Sequence, residues 1–80
     1  MSVKDAVVER FRQICAQRNI RINEMANLSG VTPSTAYSMF DSRRQDLSIV
    51  TIKKFCDGLN VPLSEFFSDP IFDELEQEIK

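Results

Sequence analysis

The sequence predicts an all-α domain, and three observations support this. Apolar residues recur at the three- and four-residue spacing of helix faces, and no stretch sustains the alternation of a strand. Only two glycines and three prolines interrupt the chain. Its 80 residues are the length of one domain, and a chain this short buries only about 60–65% of its unfolded surface. We therefore expect a compact helical bundle.

The first two helices are predicted from their apolar faces. The first runs from about residue 3 to residue 18, and Asn19 is suited to end it in a left-handed conformation. The second covers about residues 22–28, and Gly30 follows as a second left-handed position. The residues expected to face inward are Val3, Val7, Phe11, Ile14 and Cys15 in the first helix, and Met25, Ala26 and Ile22 in the second.

The third helix has a clear beginning. The Thr32 hydroxyl is placed to accept from the free N–H groups of the first turn. Pro33 then occupies the first helical position, where a missing N–H costs nothing. We expect this helix to run to about Phe40 and a polar loop, residues 41–46, to follow it.

The last part of the chain carries three more helical segments. Ser48 begins a fourth helix that runs to about residue 58, and Ser64 and Glu65 open a short fifth helix. Pro70 begins a predicted amphipathic, acidic tail helix, which divides the chain into a domain of residues 1–69 and a tail of residues 70–80. The residues predicted to face inward from the fourth helix are Ile49, Ile52, Phe55, Cys56 and Leu59.

Composition argues against several classes of protein. The chain has no histidine and no paired cysteines, so neither a metal site nor a cofactor is expected. Serines without a base are better explained as helix caps than as nucleophiles, so we do not expect an enzyme. Cys15 and Cys56 lie on apolar faces and are expected in the core. Charged residues interrupt every apolar run, so we expect neither a signal peptide nor a membrane segment, and we expect a cytoplasmic protein.

Charge is unevenly distributed along the chain. Residues 1–57 carry nine Lys or Arg against six Asp or Glu, a net +3, whereas residues 58–80 carry one Lys against six acids, a net −5. A basic front and an acidic tail are compatible with nucleic-acid contact by one face. Charges distributed only for solubility explain the pattern equally well.

Residues 25–40 have the spacing of two short helices joined by a tight turn. Small Ala26 lies where the helices must approach, Val31 fills the junction, and Ala36 and Met39 point to the core. The outward face of the third helix is then short and polar, a surface that can approach base edges. Any helical hairpin can show this spacing, so the pattern alone does not establish nucleic-acid binding.

Residues 5–67 resemble the Cro and phage-repressor (XRE-type) family of helix-turn-helix regulators. The matching segments are Met25-Ala26, Ser29-Gly30-Val31-Thr32, Ser34-Thr35 and Leu59-Asn60-Val61-Pro62-Leu63-Ser64-Glu65-Phe66-Phe67. The resemblance implies a five-helix lambda-repressor-like bundle, here with the tail helix added. It also implies a third helix that enters the DNA major groove, usually as half of a dimer on a palindromic operator.

The resemblance also assigns roles to individual residues. The family's base-facing positions fall on Thr32, Pro33, Ser34, Tyr37 and Ser38, although Tyr37 is equally explained as a cover for the edge of the hairpin. The phosphate-contacting loop falls on Ser42, Arg43, Arg44 and Gln45, whose alternative role is ordinary loop solvation. Where the family often has a phosphate-binding Gln, this chain has Ile22, so Arg21 or Asn23 is the candidate substitute.

The function implied is that of a sequence-specific transcriptional regulator that binds double-stranded DNA, acts as a repressor by occupying an operator, and needs no small-molecule ligand. The alternative is a protein-interaction module of the same fold, such as an antitoxin or regulatory subunit, which the acidic tail suggests. The apolar stripe of the tail either pads the domain's own core or forms a homodimer contact, and we favour the dimer. The stripe consists of Ile71, Phe72, Leu75 and Ile79.

Overall fold

The structure, a computed structural model, describes residues 1–44 and 46–79, and every regular element in that part of the chain is helical. The prediction of an all-α fold is confirmed. None of the described helices is long and apolar enough to span a membrane. The elements are α1 (Val3–Arg18), α2 (Ile22–Leu28), α3 (Pro33–Phe40), α4 (Ile49–Leu59), α5 (Leu63–Phe66) and a 3-10 helix (Pro70–Glu74).

Helix ends follow local signals in the sequence. Thr32 and Ser48 accept hydrogen bonds from the backbone N–H groups of Thr35 and Val50, which caps α3 and α4 as predicted. Asn19 closes α1 in the left-handed region at φ 56°, and Asn60 closes α4 in the same way at φ 57°. These caps fix where each helix stops and therefore how the chain turns into the next one.

Three phenylalanines form the centre of the core. The ring of Phe11 lies 5.6 Å from that of Phe55 and 4.5 Å from that of Phe66, centroid to centroid, and all three side chains are fully buried. Cys15 and Cys56 are buried in the same core, as predicted. Burial raises the pKa of the Cys15 thiol, and burial with the nearby Asp57 raises the pKa of Cys56 to about 11. Both thiols are therefore core groups in their neutral form.

Two predicted core positions are wrong. Val3 is 40% exposed and Ile49 is 56% exposed, and each lies in the first turn of its helix, where the neighbouring elements do not cover it. The buried residue at the start of α1 is instead Lys4, at 3% exposed. Its stem lies inside the protein because its ammonium finds carbonyl acceptors.

Three cations of α1 donate to carbonyl oxygens at the ends of other helices. Lys4 Nζ donates to Asp41 O (3.0 Å), at the end of α3, and to Arg44 O. Arg10 Nε donates to Phe66 O (2.9 Å), at the end of α5, and Arg18 donates to Leu59 O, at the end of α4. Carbonyls at a helix C-terminus lack intrahelical partners and carry partial negative charge, so cations stabilise them.

The predicted tail helix is wrong in type and length. The structure has a 3-10 helix over Pro70–Glu74, capped by Asp69, and no helix among residues 75–79. Leu75 is extended, and the next N–H, that of Glu76, donates to Met1 O at 3.1 Å. Acidic residues at a helix C-terminus oppose its dipole, and the like charges of Glu74 and Glu78, four residues apart, would repel in an α-helix.

Candidate nucleic-acid interface

The α2–turn–α3 unit packs against the core. Met25 and Ala26 from α2 and Ala36 and Met39 from α3 are all buried. Gly30 adopts the left-handed φ of 69° that the turn requires. The predicted helical hairpin is thus present, and its buried faces leave the opposite face of α3 directed outward.

The outward face of α3 is polar and accessible. Thr32, Pro33, Ser34 and Tyr37 are exposed and Ser38 is half-buried, so the structure brings all five predicted base-facing residues to one helix and its cap. The hydroxyl groups of serine and threonine can donate hydrogen bonds to base edges and accept hydrogen bonds from them. The surface therefore has the chemistry needed for contact with a DNA groove.

One exposed residue of this face was not predicted. Thr35 Oγ1 lies 2.9 Å from Thr32 Oγ1, which also lies 3.1 Å from Ser34 Oγ. Three hydroxyls therefore surround the first turn of α3. The sequence contained the signal, because Thr35 lies three residues before Ser38 and so on the same side of the helix.

Two open grooves border α3, and each has a predicted phosphate residue in its lining. Arg21 and Tyr37 line a groove of about 450 Å³ against α1 and α2. Ser38 and Arg44 line another, of about 240 Å³, against the start of α4. The side chains predicted to read bases and those predicted to bind phosphates are thus neighbours on both sides of the helix.

The loop after α3 begins with a hydrogen-bonded turn over residues 41–44. Arg44 N donates to Asp41 O at 3.1 Å, and Arg43 N donates to Asp41 Oδ1 at 3.0 Å. The Arg43 guanidinium also makes a two-pronged contact with the Asp41 carboxylate, at 3.1 Å and 3.0 Å. Hydrogen bonds from the Arg43 side chain and backbone lower the pKa of Asp41 to about 2.

This ion pair distinguishes the two arginines of the loop. Arg43 is largely exposed but shares its charge with Asp41, whereas no ion pair of Arg44 occurs in residues 1–44 and 46–79. Ser42 is exposed in the same turn. The predicted phosphate residue Gln45 lies outside the described residues.

The candidate phosphate residues of α2 lie at its beginning. Arg21 is the N-cap and makes no side-chain capping bond, and α2 nevertheless starts at Ile22. Arg21 and Asn23 are both exposed. Their side chains are therefore accessible next to the groove that Tyr37 lines.

The apolar residues of the tail are separated. The Phe72 ring packs 4.9 Å from that of Phe67 and 5.8 Å from that of Phe66, so it is engaged by its own domain. Ile71 and Leu75 are half-buried, whereas Ile79 is 87% exposed. Of the predicted dimer contacts, Ile79 is the most accessible.

Comparison with known proteins agrees with this geometry. The Cro/C1-type HTH DNA-binding domain matches residues 10–70, which include the second half of α1 and all of α2 to α5. A solved structure, the crystal structure of the prophage Lp1 protein 11, is 33% identical, with a TM-score of 0.81. The match covers 94% of this chain and 100% of that one. No curated protein matches the sequence. The chain belongs to the family of Cro/C1-type helix-turn-helix DNA-binding domains.

Proposed function

We propose that this protein is a sequence-specific transcriptional regulator that binds double-stranded DNA by placing α3 in the major groove. The observation that carries the proposal is the outward face of α3, where exposed hydroxyls and Tyr37 lie between two arginine-lined grooves. A short helix of this kind fits the major groove, and each base pair presents a distinct pattern of donors and acceptors there.

The proposal divides the interface into two classes of residue. Thr32, Pro33, Ser34, Tyr37 and Ser38 read base edges, and Thr35 supports Thr32 through its hydroxyl. The phosphate residues position the domain on the duplex and carry no sequence information themselves. They are Arg21, Asn23, Ser42, Arg43, Arg44 and Gln45.

The regulator acts as a homodimer on a palindromic operator and represses by occupancy. Support for a dimer comes from the small size of one reading unit, since a single eight-residue helix contacts few base pairs. The exposed Ile79 and the half-buried Ile71 and Leu75 are the candidate contact surface. The family supplies the precedent for two-fold pairing, and repression follows if the operator overlaps a promoter.

The test is selection of binding sites from random duplex DNA. The affinity for the most enriched site is then measured by titration at several salt concentrations. We expect a two-fold-symmetric site with half-sites about one helical turn apart, and an affinity that falls steeply with salt. Transcription in vitro from a promoter that contains the site should decrease. A matched titration with Tyr37→Ala should lose affinity for the selected site while keeping the salt dependence.

The opposite result has a defined meaning. No enrichment, together with negligible salt dependence, would contradict DNA binding and support the alternative, a protein-interaction module of the same fold.

A further inference from the structure

We infer that Lys4 is a positioning residue for the DNA-phosphate loop: its buried ammonium holds residues 41–44 in the conformation that presents Arg44. This inference rests on the proposed function, in which that loop contacts the DNA backbone. Lys4 lies about 40 residues before this loop in the sequence and has almost no exposed surface with which to contact DNA itself.

The first step of the argument is burial. Lysine side chains are almost never as buried as Lys4, which is 3% exposed, unless the charge is satisfied. Removing an ammonium from water is costly, and hydrogen bonds to acceptors must offset that cost. The acceptors here are two backbone carbonyls, Asp41 O and Arg44 O.

The second step is the position of those acceptors. Asp41 and Arg44 are the first and last residues of the turn, and Asp41 O also accepts from Arg44 N. Lys4 Nζ therefore joins both ends of the turn from its buried side. Asp41 stabilises the same turn from its exposed side, through the backbone N–H and guanidinium of Arg43.

The third step connects the turn to the interface. With both ends of the turn held, the Arg44 side chain is directed into the groove that Ser38 lines. Without Lys4, two carbonyls lose a charge-assisted partner, and the bonds from Arg43 and Arg44 to Asp41 remain. Arg44 then has no fixed position relative to α3, and its phosphate contact becomes less favourable.

The variant that tests this is Lys4→Met, which keeps an unbranched apolar side chain of nearly the same length and removes the donor. The control is Lys54→Met, which removes the same charge from an exposed position on α4. We expect Lys4→Met to weaken binding to the selected duplex about tenfold, the effect of losing the charge-assisted contact between Arg44 and a phosphate. The order of preference among duplex sequences should be unchanged.

A coupling measurement separates positioning from stability. Arg44→Gln is made in the wild-type and in the Lys4→Met background, with thermal unfolding used to keep every titration below the unfolding transition. We expect Arg44→Gln to lower the salt slope by about one in the wild type and by much less with Lys4→Met. Equal effects in both backgrounds would overturn the inference and leave Lys4 a purely structural residue.

A third measurement needs no DNA. The Arg44 amide should exchange with solvent slowly in the wild type and much faster in Lys4→Met. Lys4→Gln replaces the methionine variant if that variant does not fold. Amides at the centre of α4 should stay protected in every protein. Unchanged exchange at Arg44 would contradict the positioning role. If the wild type binds no duplex, the proposed function fails, and the exchange experiment still decides whether Lys4 holds the loop.

Discussion

The backbone of Ser29 lies directly against Gly58, so that a Cβ atom built on Gly58 would be 2.7 Å from Ser29 Cα and 2.8 Å from Ser29 N. This contact sets the distance between the end of α2 and the end of α4. We expect Gly58→Ala to destabilise the protein by about 2–3 kcal/mol, because backbone must move to admit the methyl group. Alanine is otherwise the better helix former by about 1 kcal/mol.

Urea unfolding measures the effect, with Lys54→Ala as the control in the same helix. Lys54 is exposed, so its replacement should change the free energy of unfolding very little. Equal stability of Gly58→Ala and the wild type would show that the two helices are not in this contact.

The Ser29 hydroxyl gives a prediction of opposite sign. Ser29 Oγ is buried and has no hydrogen-bond partner within the described part of the chain. An unsatisfied buried hydroxyl costs about 1–3 kcal/mol, so Ser29→Ala should leave the protein as stable as the wild type or more stable. The same unfolding experiment applies, and a clear loss of stability would contradict the unsatisfied state of the hydroxyl.

The proposed base-reading and phosphate-binding residues should respond differently to substitution. We expect Ser34→Ala and Ser38→Ala to change the preference between duplexes by about 1–3 kcal/mol at one position of the site. Arg44→Gln should weaken binding to all duplexes and lower the salt slope by about one. Competition titrations at two salt concentrations measure both effects, and Ser64→Ala on α5 is the control. If the serine and arginine variants behave alike, the division into base-reading and phosphate-binding residues is wrong.

The Asp41–Arg43 ion pair is testable by pH titration. Asp41 ordinarily has a pKa of 3.8, and its contacts with Arg43 lower the pKa to about 2. Because the folded protein favours the ionised carboxylate, the Asp41–Arg43 pair stabilises the folded state above about pH 4. This contribution to the free energy of unfolding is lost as the pH falls toward 2. A carboxyl-detected NMR titration should find the low midpoint in the wild type and a higher midpoint in Arg43→Gln, although one still below the ordinary value because the backbone N–H of residue 43 continues to donate to Asp41. The same midpoint in both proteins would show that the pair does not form in solution.

The proposed dimer contact is best tested at Ile79. Deleting the whole tail would also remove Phe72 from its aromatic neighbours. The deletion would then change the stability of the fold as well as the association of two chains. We expect Ile79→Asp to reduce the mass of the proposed dimer in sedimentation experiments, whereas Gln77→Asp adds the same charge and leaves the mass unchanged. At a protein concentration where both proteins are monomeric, Ile79→Asp should leave the unfolding temperature unchanged. An Ile79→Asp protein that remains dimeric would place the contact elsewhere.

The sequence predicted the helices well because their ends depend on nearby residues. Thr32 and Pro33 at the start of α3, Ser48 at the start of α4 and Asn19 at the end of α1 all act within a few residues. The outward face of α3 followed from the same periodicity. Assigning that face to DNA required the family resemblance, since spacing alone describes any helical hairpin.

The errors occurred where distant residues decide the outcome. A hydrophobic stripe favours Val3 over Lys4, but Lys4 is buried because residues 41 and 44 supply acceptors about 40 positions later in the chain. The tail has the apolar spacing of a helix, yet Glu76 bonds to Met1 instead. No local pattern indicates either partner, so neither contact was predictable from periodicity.

The hydrogen bonds from α1 to the ends of α3, α4 and α5 also determine how the domain folds. They join residues 37 to 56 positions apart, so they form only when most of the chain is already assembled. Helices as short as α2 and α3 are not stable alone in water. We therefore expect the α2–turn–α3 unit to open only when the whole domain unfolds, so that amide exchange in α2 and α3 reports the global free energy of unfolding.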